Sequence, residues 1–175
     1  MMINPNGTAL KPFAPGILLA LFTILFGFGI GVVFGAAEDS MKAALTDSGK
    51  AVLDTVYQGD VAKMEGVVGK SWSYVKRAHL HAGAIGTSAL ATTVVLFLLG
   101  TPRRLERWSA TAFGAGALLY SVFWLAAAFR APGLGSTDLA KDSLAWIALP
   151  GSALAVLGLC GAIIAIFRRV VFIPK

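Results

Sequence analysis

Residues 16–37 read GILLALFTILFGFGIGVVFGAA, twenty-two positions without a charged side chain. At about 1.5 Å of helical rise per residue, such a run crosses a hydrocarbon layer of about 30 Å. The surrounding composition agrees: 57% of the chain is hydrophobic, only 14% is charged, and the mean hydropathy is +0.75. That is more apolar than an ordinary soluble domain, which is roughly half apolar. A cleaved leader is the rival reading, with Gly35 and Ala37 as small residues before a cut. Its apolar region would be too long, and its front end carries Lys11 alone, so an uncleaved anchor is expected.

The same criterion picks out three further runs, about 79–100, 108–129 and 144–167. The second stops at Thr101-Pro102 and the fourth at Arg168-Arg169; Pro150-Gly151 predicts a kink near the outer end of the fourth. Ala131-Pro132-Gly133-Leu134-Gly135-Ser136-Thr137 reads as a turn-rich connector, and Met1–Pro15 as a short tail. The expected fold is all-α, a single domain over 1–175: an integral membrane four-helix bundle. Its first two spans are separated by residues 38–78, too long for a structureless loop. There Met41, Leu45, Val52 and Val56, and then Val61, Met64, Val68, Trp72 and Val75, recur at helical steps. Two extramembrane amphipathic helices are predicted, broken near Gln58-Gly59, with Trp72 and Tyr74 at the headgroup boundary.

Four crossings place both termini on one side. On that side Lys11, Arg103, Arg104, Arg107, Arg168, Arg169 and Lys175 face only Glu106, whereas on the other side eight basic residues meet eight acidic ones. The excess of Lys and Arg marks the termini as cytoplasmic, in an inner membrane, with 38–78 periplasmic or extracellular. The net charge of +6 is therefore topological. It forms no basic patch interleaved with aromatics, so nucleic acid is not an expected partner. The single cysteine, Cys160, excludes an intrachain disulfide; in the middle of the last run it is expected to be a buried, inert thiol.

Within the first run Gly27, Gly31 and Gly35 recur every fourth residue, amid Phe22, Phe26, Phe28 and Phe34. This glycine stripe lets another backbone approach closely and reads as a helix-packing seam, within the chain or with a partner subunit.

The polar chemistry concentrates in Lys76-Arg77-Ala78-His79-Leu80-His81-Ala82-Gly83-Ala84-Ile85-Gly86, which holds both histidines. Polar groups at the mouth of a span need partners. On a helix the two rings point to nearly opposite faces; on an extended chain they share one, and a two-nitrogen clamp forms. Three chemistries are open. One histidine is an axial ligand to haem b iron, with Gly83 and Gly86 leaving room for the ring, Arg77 pairing a propionate, and Met64, Met41 or another chain completing the set. Alternatively His79 and His81 bind Cu or Zn with Asp60 or Glu65. The third is proton handling, which the lack of Asp, Glu or Lys inside any run disfavours. Without a ligand, both rings sit at the headgroup boundary beside Trp72 and Tyr74. Thr87, Ser88, Thr92 and Thr93 on the same run are expected to bond within their own helix or to a neighbour.

The Arg-x-His-x-His opening of this run resembles the haem-ligating helices of the haem–copper oxidase and nitric oxide reductase superfamily. The likeness covers about ten residues, and the later histidines of those enzymes are absent here. It implies at most a remnant or analogous haem site.

No Gly-x-Ser-x-Gly, His-Glu-x-x-His or phosphate-binding glycine loop occurs. Ser121, near Tyr120 and Trp124, has no base beside it in sequence. The expectation is a non-catalytic accessory or assembly subunit of a larger membrane complex, surrounded by lipid and packing against other membrane subunits or its own copies through the glycine stripe. The alternative is a haem- or metal-binding, redox-associated membrane protein using His79 and His81 at the outer face.

Overall fold

The computed structural model describes residues 10–100 and 103–171. After a 3-10 turn at Lys11–Phe13 come α1 (Ala14–Lys50), α2 (Leu53–Val56), α3 (Val61–Leu98), α4 (Arg104–Leu134), α5 (Thr137–Asp142) and α6 (Ala145–Val171). The described residues contain no strand. Four of these helices, α1, α3, α4 and α6, are each long and apolar enough to cross a membrane, as a multi-pass membrane protein requires. The Thr101-Pro102 stop and Lys175 lie outside the described residues.

The first helix starts inside the expected tail, because Pro15 occupies its first turn, where a missing amide costs nothing. Helices α1 and α3 then run on far past the expected span ends, to 37 and 38 residues. Of the two helices expected in 38–78, the first is present up to Lys50 and is set off from the first span by a kink at Ala37, whereas the second runs unbroken into the second span as α3; the turn of α2 joins them. Ala37, the expected end of the first apolar run, is the one residue of α1 with non-helical dihedrals. The break at Gln58-Gly59 has both residues at positive φ, 55° and 81°. Asp60 then starts α3, its carboxylate accepting the Lys63 amide at 2.9 Å.

Helix α4 also outruns its expected end. Pro132 and Gly133 fall in its last turn, and Gly135 closes it with φ of 67°, a left-handed cap suited to glycine. Tyr57, almost fully buried, donates its hydroxyl to the Pro132 carbonyl at 2.7 Å, and Val56 fills the space beside Gly135. The α2 turn is thereby tied to the corner between α4 and α5. Burial pushes the Tyr57 phenol up from its usual value of 10.0.

Helix α4 is the centre of the bundle: over half of its apolar window is buried, against less than three tenths for α1, α3 and α6. It packs on all three, α1 and α3 pack on each other, and α6 meets α3 only narrowly. The contacts are made by small residues. Gly16 lies against the Ala110 backbone, and Gly114 against Gly16 and Leu19. On α6, Gly151, Ala155, Gly158, Ala162 and Ala165 alternate steps of four and three along the seam with α4. A side chain at Gly158 would run into the Phe113 backbone, and one at Gly116 into Ala155. This seam turns Cys160 to the outer face, where it is exposed, contrary to the expected buried thiol.

At the opposite end from α2, Glu106 is 2% exposed. Its carboxylate accepts the Arg103 amide, and Arg169 Nε lies 3.1 Å from its other oxygen. The start of α4 and the end of α6 are joined there by a buried ion pair. The hydroxyls of Thr23, Ser88, Thr93 and Ser121 are each bonded to the carbonyl four residues earlier on their own helix, whereas the buried Ser109 hydroxyl on α4 has no partner.

Candidate functional site

Because α3 is helical throughout 61–98, His79 and His81 diverge, and the extended two-nitrogen clamp does not form. His79 faces α1. Its Nδ1 lies 2.8 Å from the Gly27 carbonyl oxygen, and since a carbonyl only accepts, Nδ1 carries the proton and Nε2 the lone pair. Phe34 meets the ring edge-on with centroids 5.4 Å apart. Opposite the ring stands Gly31, where an added Cβ would come within 3.0 Å of Cε1.

Two of the three stripe glycines are therefore occupied inside the chain. Gly27 faces Ala82 and Gly31 faces His79, while Gly35 has open space beside it. Gly86, read as room for a flat ring, is filled by Thr23 and Ile24; Gly83 alone is open. Beside His79, a groove of about 300 Å³ runs between α1 and α3, lined by Ile24, Gly27, Phe28, Leu80, Gly83 and Thr87.

His81 faces α4. Its ring is 5.3 Å from Tyr120 and 6.1 Å from Trp124. One turn earlier Arg77 lays its guanidinium 4.3 Å above the Trp124 ring and 5.4 Å from Tyr74, a pair of cation–π contacts. Phe123 closes the group, 5.1 Å from Trp124. Trp124 is 8% exposed, and its Nε1 has no acceptor. Arg77 and His81 thus stand together against α4, while His79 faces α1.

The other proposed ligands stand apart. Asp60 caps α3 and lies nineteen residues before His79 on a continuous helix, about 28 Å away along the axis. Glu65 is about 21 Å away by the same measure. Met64 is buried against Gly49, and Met41 packs near the core around Val75. Among the described residues no three of His, Cys, Asp and Glu gather around one point.

Sequence reasoning missed the Tyr120-Phe123-Trp124 face of α4 as the wall against which the histidine helix rests. The signal was present: a Tyr and a Trp four residues apart share one helical face. Comparisons with family models, with curated proteins and with solved structures find no match for this chain.

Proposed function

We propose that the chain crosses the inner membrane four times with both termini in the cytoplasm, and that it serves as a non-catalytic accessory or assembly subunit of a larger membrane complex. The observation carrying this reading is the length of α1 and α3. Helix α3 runs unbroken for 38 residues, about 57 Å and roughly 25 Å more than a hydrocarbon core requires, and beyond its kink at Ala37 α1 continues to Lys50, where Gly49 meets Met64 of α3. The paired ends, closed by α2 and α5, form a helical prominence on the non-cytoplasmic face. Met41, Leu45, Met64, Val68 and Trp72 turn inward there, leaving charged residues outward as a docking surface.

Within the membrane, the partner seam lies on the free flank of α1. Gly27 and Gly31 are taken by α3, while Gly29 and Gly35 have open space beside them and Phe22, Leu25, Phe28 and Val32 are exposed. Close backbone approach at small residues is the usual basis of association in lipid. The test is purification of Gly35→Leu from native membranes. The proposal requires a lower yield of co-purifying subunits or own copies with undiminished thermal stability; an unchanged assembly would overturn it.

A second reading, a haem- or metal-binding redox protein, has its own supporting observation in the fixed tautomer of His79. A histidine whose Nδ1–H is held by a main-chain carbonyl presents Nε2 as a ligand, the arrangement found in most imidazole–metal sites. In this reading His79 supplies one ligand to haem iron, Cu or Zn, and another chain supplies the rest. An absorption spectrum with elemental analysis of the purified protein decides it. A Soret band or stoichiometric metal, lost in His79→Ala, supports the site; a colourless, metal-free protein removes it.

A further inference from the structure

The narrow contact between α3 and α6 leaves a second groove, of about 410 Å³, floored by α4 and lined chiefly by Ala84, Ile85, Ser88, Phe113, Ala155 and Leu159. Its walls are almost wholly apolar. Following the same face of α3 outward, His81 comes one turn above Ala84 and Arg77 one turn above that, about 10 Å from the groove. Beyond the end of this apolar groove, on the same face of α3, stands a cation resting on an aromatic shelf of Tyr74 and Trp124.

Among the described residues that cation has no counter-ion. The ion pairs among the described residues are Lys42 with Glu38, Lys141 with Asp138, and Arg169 with Glu106; no carboxylate reaches Arg77. Stacked on indole and phenol faces, its guanidinium keeps its N–H edge available, and that fork matches phosphate oxygens. Beneath it, Trp124 holds an unpartnered buried N–H.

We propose that the α3/α6 groove binds one anionic phospholipid, an acyl chain lying along Ala84, Ser88 and Ala155 and the phosphate accepting from Arg77. Apolar length and cationic head together fit this occupant. A neutral zwitterionic lipid carries its own cation and gains less at Arg77. A free phosphate ion has nothing to place in the trough.

The probes are phosphatidylglycerol and phosphatidylcholine, offered as an equimolar mixture to the full-length protein in detergent, with retained lipid read by native mass spectrometry. Wild type should retain one phosphatidylglycerol in about tenfold preference. Arg77→Gln should lose that preference, while Lys76→Gln, turned about 100° away on the same helix, should keep it. Ser88→Phe, which fills the trough without touching Arg77, should lower retention of the lipid and decides the matter should Arg77→Gln fail to fold. Equal retention of both lipids by wild type would overturn the proposal, as would wild-type preference in both Arg77→Gln and Ser88→Phe, or a quinone co-purifying in the lipid's place.

Discussion

His79 on α3 gives its Nδ1 proton to the main-chain carbonyl of Gly27 on α1, 2.8 Å away, and can do so only because Gly31 leaves the ring its place. A glycine stripe that reads as an adhesive face for another protein is taken up at two of its three positions by α3 of the same chain, Gly27 by Ala82 and Gly31 by the His79 ring. Gly31→Leu should therefore destabilise the isolated protein by about 1–3 kcal/mol, through overpacking. Gly35→Leu, in open space, should not destabilise it, any shift being a gain of up to about 1 kcal/mol from helix propensity. Thermal unfolding of both variants in the same detergent checks the contrast.

The seam between α4 and α6 should be less forgiving. Gly116→Ala and Gly158→Ala each drive a methyl into the opposing backbone, which has no rotamer by which to yield. A loss of about 1–3 kcal/mol is expected for each. Gly66→Ala and Gly69→Ala, helical positions with nothing within 4 Å, should instead gain up to about 1 kcal/mol from helix propensity. Circular dichroism melts of the four variants should fall on opposite sides of wild type.

How much of this was legible in the sequence follows from what each residue touches. Charge-free runs announce four membrane-length helices because hydrocarbon tolerates few ions, and Gln58-Gly59 announces a break because its backbone must turn. The length of α3 was hidden: residues 61–78 carry charges, and a charged helix that continues a span looks like a separate amphipathic one, whereas 38–50 is indeed set off from the first span by the kink at Ala37. Gly151, Ala155, Gly158, Ala162 and Ala165 stand at seam spacing and were readable, but the more regular Gly27, Gly31 and Gly35 drew the eye. The direction each histidine takes depends on α3 remaining helical through Arg77, which composition does not decide. The exposure of Cys160 follows only once the α6 seam is known.

Tyr57→Phe should cost about 0.5–1.5 kcal/mol, the worth of one hydrogen bond, because the Pro132 carbonyl loses its hydroxyl partner. The pH dependence has a definite sign. Burial raises the folded-state pKa of Tyr57 above the unfolded value of 10.0, so above that pH the unfolded chain holds fewer protons than the folded one. The contribution of Tyr57 is fully present below pH 10 and is lost as the pH rises through the folded pKa. Urea titrations at pH 8 and pH 11 should show an alkaline loss in wild type that is smaller in Tyr57→Phe.

Arg169→Met strands the Glu106 carboxylate, which is 2% exposed, at the far end of the bundle. Removing one partner of a buried pair typically costs about 3–5 kcal/mol. The double substitution Glu106→Gln with Arg169→Met leaves no orphaned charge and should recover much of that loss. A double-mutant cycle measured by chemical unfolding tests it; equal losses in the single and double variants would refute the coupling.

Topology decides which face holds the prominence, the Arg77 shelf and the His79 groove. The decisive measurement is labelling of intact cells with a membrane-impermeant maleimide, using single cysteines placed in a Cys160→Ala background. Asp47→Cys, beyond the first crossing, should react in intact cells, and Arg104→Cys, beyond the second, only after lysis. Reaction of both from one side, or the reverse pattern, would contradict the four-crossing arrangement with cytoplasmic termini.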